Sequence, residues 1–162
     1  MNVHDVNPYI RVAMPSRLPP DYQIKERVIF DYELIYVEDG NFSFSYAGKP
    51  YLCRQGAFIF IRPGIPHSFL TAKEGASQPH IHFDICYAAD SKDVFVSFKN
   101  FPDLSPAEKK LIRKDVFAEY PKSPFVHFED AAFILRDRGP PHPAAQPAQK
   151  SADDGNTEPL DS

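Results

Sequence analysis

Gln78, His80, His82 and Asp84 occupy every second position of the stretch QPHIHFD. Successive side chains of an extended strand point to opposite faces, so these four share one face. Glutamine and histidine together suit bidentate recognition of hydroxyl groups. A further histidine, His67, follows the Pro63-Gly64 turn by three residues in GAFIFIRPGIPHSF. His67, Phe69 and Thr71 share a face by the same alternation. His67 then has two readings. Either it lines a cavity with Phe69, the imidazole bonding a hydroxyl and the ring stacking, or it closes the turn by bonding a backbone carbonyl. For His80 and His82 the plain alternative is that they are packed interior residues. A metal chemistry is also open, with His67, His80 and His82 as ligands, because His-x-His on one strand face is a usable spacing. Glu33 either points inward and orients a ligand hydroxyl or pairs with Arg27 or Arg62. No nucleophile with an adjacent base emerges, and G-x-S-x-G, the P-loop and the dinucleotide-binding glycine fingerprint are absent. The chain is therefore not expected to be an enzyme.

Positioning these residues requires strands. YIRVAM (9–14) reads as a first strand and PSRLPPDY (15–22) as a proline-rich connection. Residues 24–40 are rich in β-branched and aromatic types and end at Asp39-Gly40, a hairpin signal. Phe42, Phe44 and Tyr46 alternate on one face of residues 41–53, with Ala47-Gly48 as a turn. AFIFI (57–61) follows the Gln55-Gly56 turn, and its continuous apolar character predicts burial on both sides. HSFLTA, PHIHFDICY and DVFVSF (93–98) complete the strands. Many short strands separated by turns indicate a sandwich or barrel. Residues 105–120 predict a helix, with Ser105 as N-cap, Pro106 at its first position, Glu108 closing a capping box, and Ile112, Val116 and Tyr120 as an apolar stripe. Residues 124–130 read as extended, and 131–136 as the start of another helix. From residue 137 the chain is polar and proline-rich, a composition that cannot offset its ordering entropy.

Composition narrows the classes. The net charge of −4 lacks the basic footprint of a nucleic-acid binder. The one cationic cluster, AEKKLIRKD, reads as the solvated face of a helix. Cys53 and Cys86 lie in strand-like segments outside any C-x-x-C and read as buried thiols. No signal peptide or membrane span is visible, so a cytoplasmic protein is expected.

With its order and spacing, GAFIFIRPGIPHSF resembles the second half of the cupin signature, and in particular the N-terminal sensing domain of AraC-type transcription regulators. DYELIYVEDGNFSF resembles the first hairpin of that family, and HIHFD its later strand. The resemblance covers roughly residues 9–135. It implies a mainly β fold, a small antiparallel jelly-roll-like cupin barrel followed by one or two helices. It also implies a small polar effector, a carbohydrate being the expected class, held inside the barrel to control transcription. Carried over by position from arabinose-sensing members, the contacts fall on Phe69, Gln78 and His80. Arg11 lies on the N-terminal segment that approaches the effector in relatives, although a solvent-facing Arg11 is the simpler expectation.

Two departures qualify the resemblance. Metal-binding cupins carry His-x-His where this chain has Arg27 and Ile29, and neither a cation nor an alkyl group ligates a divalent metal. No metal or other cofactor is therefore expected. The helix-turn-helix units of the family are also missing after residue 136, so no direct DNA binding by this chain alone is expected. The expected organisation is a sensing barrel over 1–104, a helical extension over 105–136 that packs on the barrel or forms a homodimer, and a disordered tail over 137–162. A small metal-dependent cupin enzyme and a bare dimerisation module are the competing readings.

Overall fold

Alternating burial along the strands builds two antiparallel sheets. The structure, a computed structural model, describes residues 6–120 and Pro124. The strands are β1 (Tyr9–Met14), β2 (Arg17–Leu18), β3 (Gln23–Arg27), β4 (Tyr32–Tyr36), β5 (Asp39–Tyr46), β6 (Lys49–Arg54), β7 (Phe58–Ile61), β8 (His67–Ser77) and β9 (His80–Asp84). One sheet has the order β1-β9-β4-β7. In the other, β2 and β3 pair along β8, which continues to β5 and β6. Between the sheets lie Ile35, Ile59 and Ile61 from the first, and Phe42, Phe44, Tyr46 and Phe69 from the second. Phe44 stacks on Phe69 with centroids 4.8 Å apart, an aromatic contact that adds to simple burial.

Asp39-Gly40 is not a hairpin. β4 pairs with β7 and β9, whereas β5 pairs with β6 and β8, so the chain changes sheets at this corner. Gly40 sits at a register shift of β5 against β8 with φ of 76°. Opposite, Gly75 has φ of 75°, and a Cβ there would stand 2.6 Å from the Leu18 carbonyl oxygen. Strands β5, β8 and β2 meet so closely here that only hydrogen fits. Ala47-Gly48 does close the β5–β6 hairpin, where Tyr46 faces Lys49.

Three other expectations fail for physical reasons. Residues 93–98 form no strand. The Val94 carbonyl accepts from the Arg11 guanidinium and the Lys99 carbonyl from Val28 N–H, so the segment is held by scattered bonds rather than a ladder. The helix α1 covers only Pro106–Lys109. Its capping box forms as expected, Ser105 Oγ accepting from Glu108 N–H and Glu108 Oε2 from Ser105 N–H. Beyond it, Arg113 N–H donates to the Phe30 carbonyl at 2.7 Å, and tertiary bonding overrides helix propensity. Third, Cys53 is buried but Cys86 is exposed. The segment after α1 covers the outer face of the first sheet. There Val116 N–H donates to the Tyr32 hydroxyl, and Phe117 packs edge-on against Phe60 and Tyr32. No helix among the described residues is long and apolar enough to cross a membrane. The expectations for 125–136 and for the tail lie outside the described residues.

Candidate functional site

A cavity of about 660 Å³ opens between the two sheets. β1, β4 and β9 provide its polar wall, and Leu18, Tyr22, Ile24 and Phe69 the opposite, largely apolar one. Val94, Phe95, Val96 and Phe98 stand at its rim, where Phe95 is 86% and Phe98 76% exposed.

Strand register explains the polar wall. On the inner face Glu33 of β4 pairs directly with His82 of β9, and Ile35 with His80. His82 Nε2 lies 3.5 Å from Glu33 Oε1, and its Nδ1 lies 3.1 Å from Asp31 Oδ1. His80 Nδ1 points to the Gln78 carbonyl at 3.3 Å. Glu33 is 2% exposed, and its Oε2 has the Arg27 guanidinium 3.5 Å away but no hydrogen-bond donor. Gln78 Oε1 is likewise buried without a hydrogen-bond partner. Buried acceptors without a hydrogen bond cost free energy, and both residues belong to the cavity wall.

At the side of the cavity Asp84 gathers three partners. Arg11 reaches it at 2.7 Å, Ser91 Oγ donates at 2.6 Å, and Arg113 Nε at 3.1 Å. Burial alone would raise the Asp84 pKa, but the bonds from Ser91, Arg113 and Arg11 outweigh it and hold the carboxyl below its ordinary value. Arg113 also binds Asp90 at 2.8 Å, tying the segment after α1 to the chain just past β9.

Residues 16–95 match the family described as the AraC-like ligand binding domain. Residues 16–95 thus form a domain of this family. Its fold is of the cupin type that this implies, mainly β in two antiparallel sheets. Among solved structures the AraC-like domain is similar to oxalate decarboxylase from Bacillus subtilis at pH 4.6. The identity is 19% and the TM-score 0.42, over 54% of this chain and 24% of that one. A tryptophan-to-tyrosine variant of that decarboxylase gives 19% and 0.42, over 55% and 24%. The conserved SPY1581 protein of unknown function from Streptococcus pyogenes gives 19% and 0.39, over 42% and 59%. The chain thus spans about a quarter of the length of the decarboxylases it matches. No curated protein matches the sequence significantly.

Of the residues singled out in the sequence, the AraC-like domain brings Arg11, Glu33, Phe69, Gln78, His80 and His82 to one cavity. Arg11 is not solvent-facing. A register shift between Ile10 and Val12 lets consecutive Arg11 and Val12 both line the cavity, and Arg11 pairs with Asp84. His67 is not among the lining residues and is fully buried behind them. Its Nδ1–H donates to the Ile65 carbonyl at 2.9 Å and its Nε2 accepts from Arg27 Nε–H at 3.2 Å. Burial first, and the neighbouring Arg27 charge second, push its pKa down to about 3, so the ring is neutral. The turn-closing reading of His67 is the one its contacts fit. With both ring nitrogens engaged it cannot join His80 and His82 around a metal, and Glu33 joins them instead, with one donor atom from each of the three within 4.8 Å of the others. Glu33 also has the Arg27 partner expected as its alternative. Sequence reasoning missed Asp31 and the bond from Arg27 to His67. The available signal was a charged residue inside each apolar stretch of ERVIFDYELIY.

Proposed function

We propose that this AraC-like domain senses a small polar effector, a carbohydrate or sugar acid, and passes its occupancy to a transcriptional response without catalysing a reaction. One observation carries the reading: Glu33, Gln78 and His80 together line a cavity large enough for a monosaccharide. Hydroxyl groups can bond these polar side chains, while Phe69 and Tyr22 offer apolar surface to the ring's C–H face. The response leaves through Arg113, which bonds Asp84, itself held by the lining residues Arg11 and Ser91. The setting is cytoplasmic, and DNA is reached only through a helix-turn-helix partner region.

A thermal-shift screen of monosaccharides, disaccharides and uronic acids tests this. Ligand at a hundred times its Kd adds about 2.7 kcal/mol, which for a domain of this size raises Tm by roughly 10 °C. His80→Ala and Phe69→Ala abolish the shift while far-UV circular dichroism stays native. A hit that survives both changes places the site elsewhere, and turnover of the hit compound would favour the enzyme reading.

A further inference from the structure

The polar wall sets two imidazoles beside a buried carboxylate. His82 Nδ1 lies 3.1 Å from Asp31 Oδ1, an acceptor that holds an Nδ1–H. Its Nε2 lies 3.5 Å from Glu33 Oε1, a separation that a metal ion bound to both atoms would span. His80 repeats the pattern, because its Nδ1 is directed to the Gln78 carbonyl and its Nε2 is left for another partner. Imidazoles whose Nδ1–H is held by a carboxylate and a backbone carbonyl have the outer-shell arrangement of metal-ligating histidines.

We propose that Glu33, His80 and His82 form a binding site for a divalent first-row transition ion at the inner end of the cavity. Two imidazole nitrogens and one carboxylate oxygen suit Zn²⁺, Fe²⁺ or Co²⁺ rather than Mg²⁺ or Ca²⁺. One ligand atom from each of the three residues lies within 4.8 Å of the others. Bonds of about 2.1 Å in tetrahedral geometry require separations of roughly 3.4 Å. The His82–Glu33 edge is already 3.5 Å, so rotation of the half-buried His80 side chain completes the set. Arg27 lies 3.5 Å from Glu33 Oε2, the oxygen not facing His82, so Glu33 bridges an internal cation and the bound one. Asp31 balances the added charge from behind His82. Three protein ligands leave coordination positions open toward the cavity, where an effector's oxygen atoms can complete the shell. The metal site is independent of which effector binds, and its failure would leave the effector-sensing reading standing.

The test uses the full chain without a histidine tag, stripped with chelator, in the absence of any effector. Titration with Co²⁺, followed by its visible d–d absorption, is expected to saturate at one ion per chain and to reverse on adding Zn²⁺. His80→Ala, at a half-buried position, removes this binding while circular dichroism stays native, and Glu33→Gln does the same. Asp31→Asn, which acts through His82, weakens it by roughly 10- to 100-fold. Cys86→Ser leaves it unchanged, which excludes the exposed thiol as the ligand. Absence of saturable binding at millimolar Co²⁺, or binding that persists in both His80→Ala and Glu33→Gln, overturns the proposal.

Discussion

Mild acid should destabilise this domain through one residue, His67. Its imidazole is fully buried and its pKa is depressed to about 3, whereas an unfolded chain titrates it near 6.5. Between these values the unfolded state binds a proton that the folded state refuses, so stability falls as pH drops. For a pKa pair of 6.5 and 3, the loss between pH 7 and pH 5 is about 2 kcal/mol. The reason is local: Nδ1–H is committed to Ile65, Nε2 is the acceptor for Arg27, and a second proton would face the guanidinium directly. Urea unfolding at the two pH values reads the effect. With a slope of about 2 kcal/mol per M, the wild-type midpoint falls by roughly 1 M between pH 7 and pH 5. His67→Gln supplies a neutral amide that cannot protonate, so the variant, though less stable at pH 7, should lose about 2 kcal/mol less than wild type over the same interval. A variant with the full wild-type acid sensitivity would refute the reasoning and move the titration to another group.

Gly75→Ala should destabilise by at least about 1–2 kcal/mol from the left-handed backbone alone. The contact with the Leu18 carbonyl adds to this, and a neutral urea midpoint would contradict the close approach of β2 to β8. Arg113→Ala should cost about 1 kcal/mol, a partly exposed pair being screened by solvent. It should also quicken chymotryptic cleavage at Phe117 and Tyr120, because the segment loses its ties to Asp84 and Asp90. Unchanged cleavage would mean that Arg62, through Asp115 and the Phe117 carbonyl, holds the segment alone.

Much of the architecture was legible because period-2 alternation reports one-sided burial directly. Phe42, Phe44 and Tyr46 are buried together as their spacing requires, and Gln78, His80 and His82 reach one cavity. Signals that depend on a partner misled. Asp39-Gly40 has the chemistry of a hairpin, but turn residues do not reveal whether the strands on either side belong to one sheet. The stripe Ile112, Val116 and Tyr120 has helical spacing. The chain instead spends the Arg113 N–H on Phe30 and the Val116 N–H on Tyr32, choices visible only with the barrel present. Arg11 was hidden by a bulge, which shifts the facing of one strand without any sequence mark. Arg27 shows the limit most clearly. The residue type excludes it as a ligand, yet its guanidinium joins His67 and Glu33, two residues whose relation no spacing rule conveys.

The pairing of β1 with β9 joins Tyr9 to Asp84, near the two ends of the described barrel. Such a pairing closes one of the longest loops in the domain, and loop closure must precede the contacts that repay it. A nascent chain can zip the β5–β6 hairpin early, but it cannot seat β1 until His80–Asp84 has been synthesised. Since Arg11 and Val12 of β1 form part of the cavity wall, the binding site comes into being with the last such closure rather than with the core. A compound that fills the cavity would then act as a folding clamp, slowing departure of the first strand. In a cell, effector supply would set how long each copy survives proteolysis, as well as what that copy does.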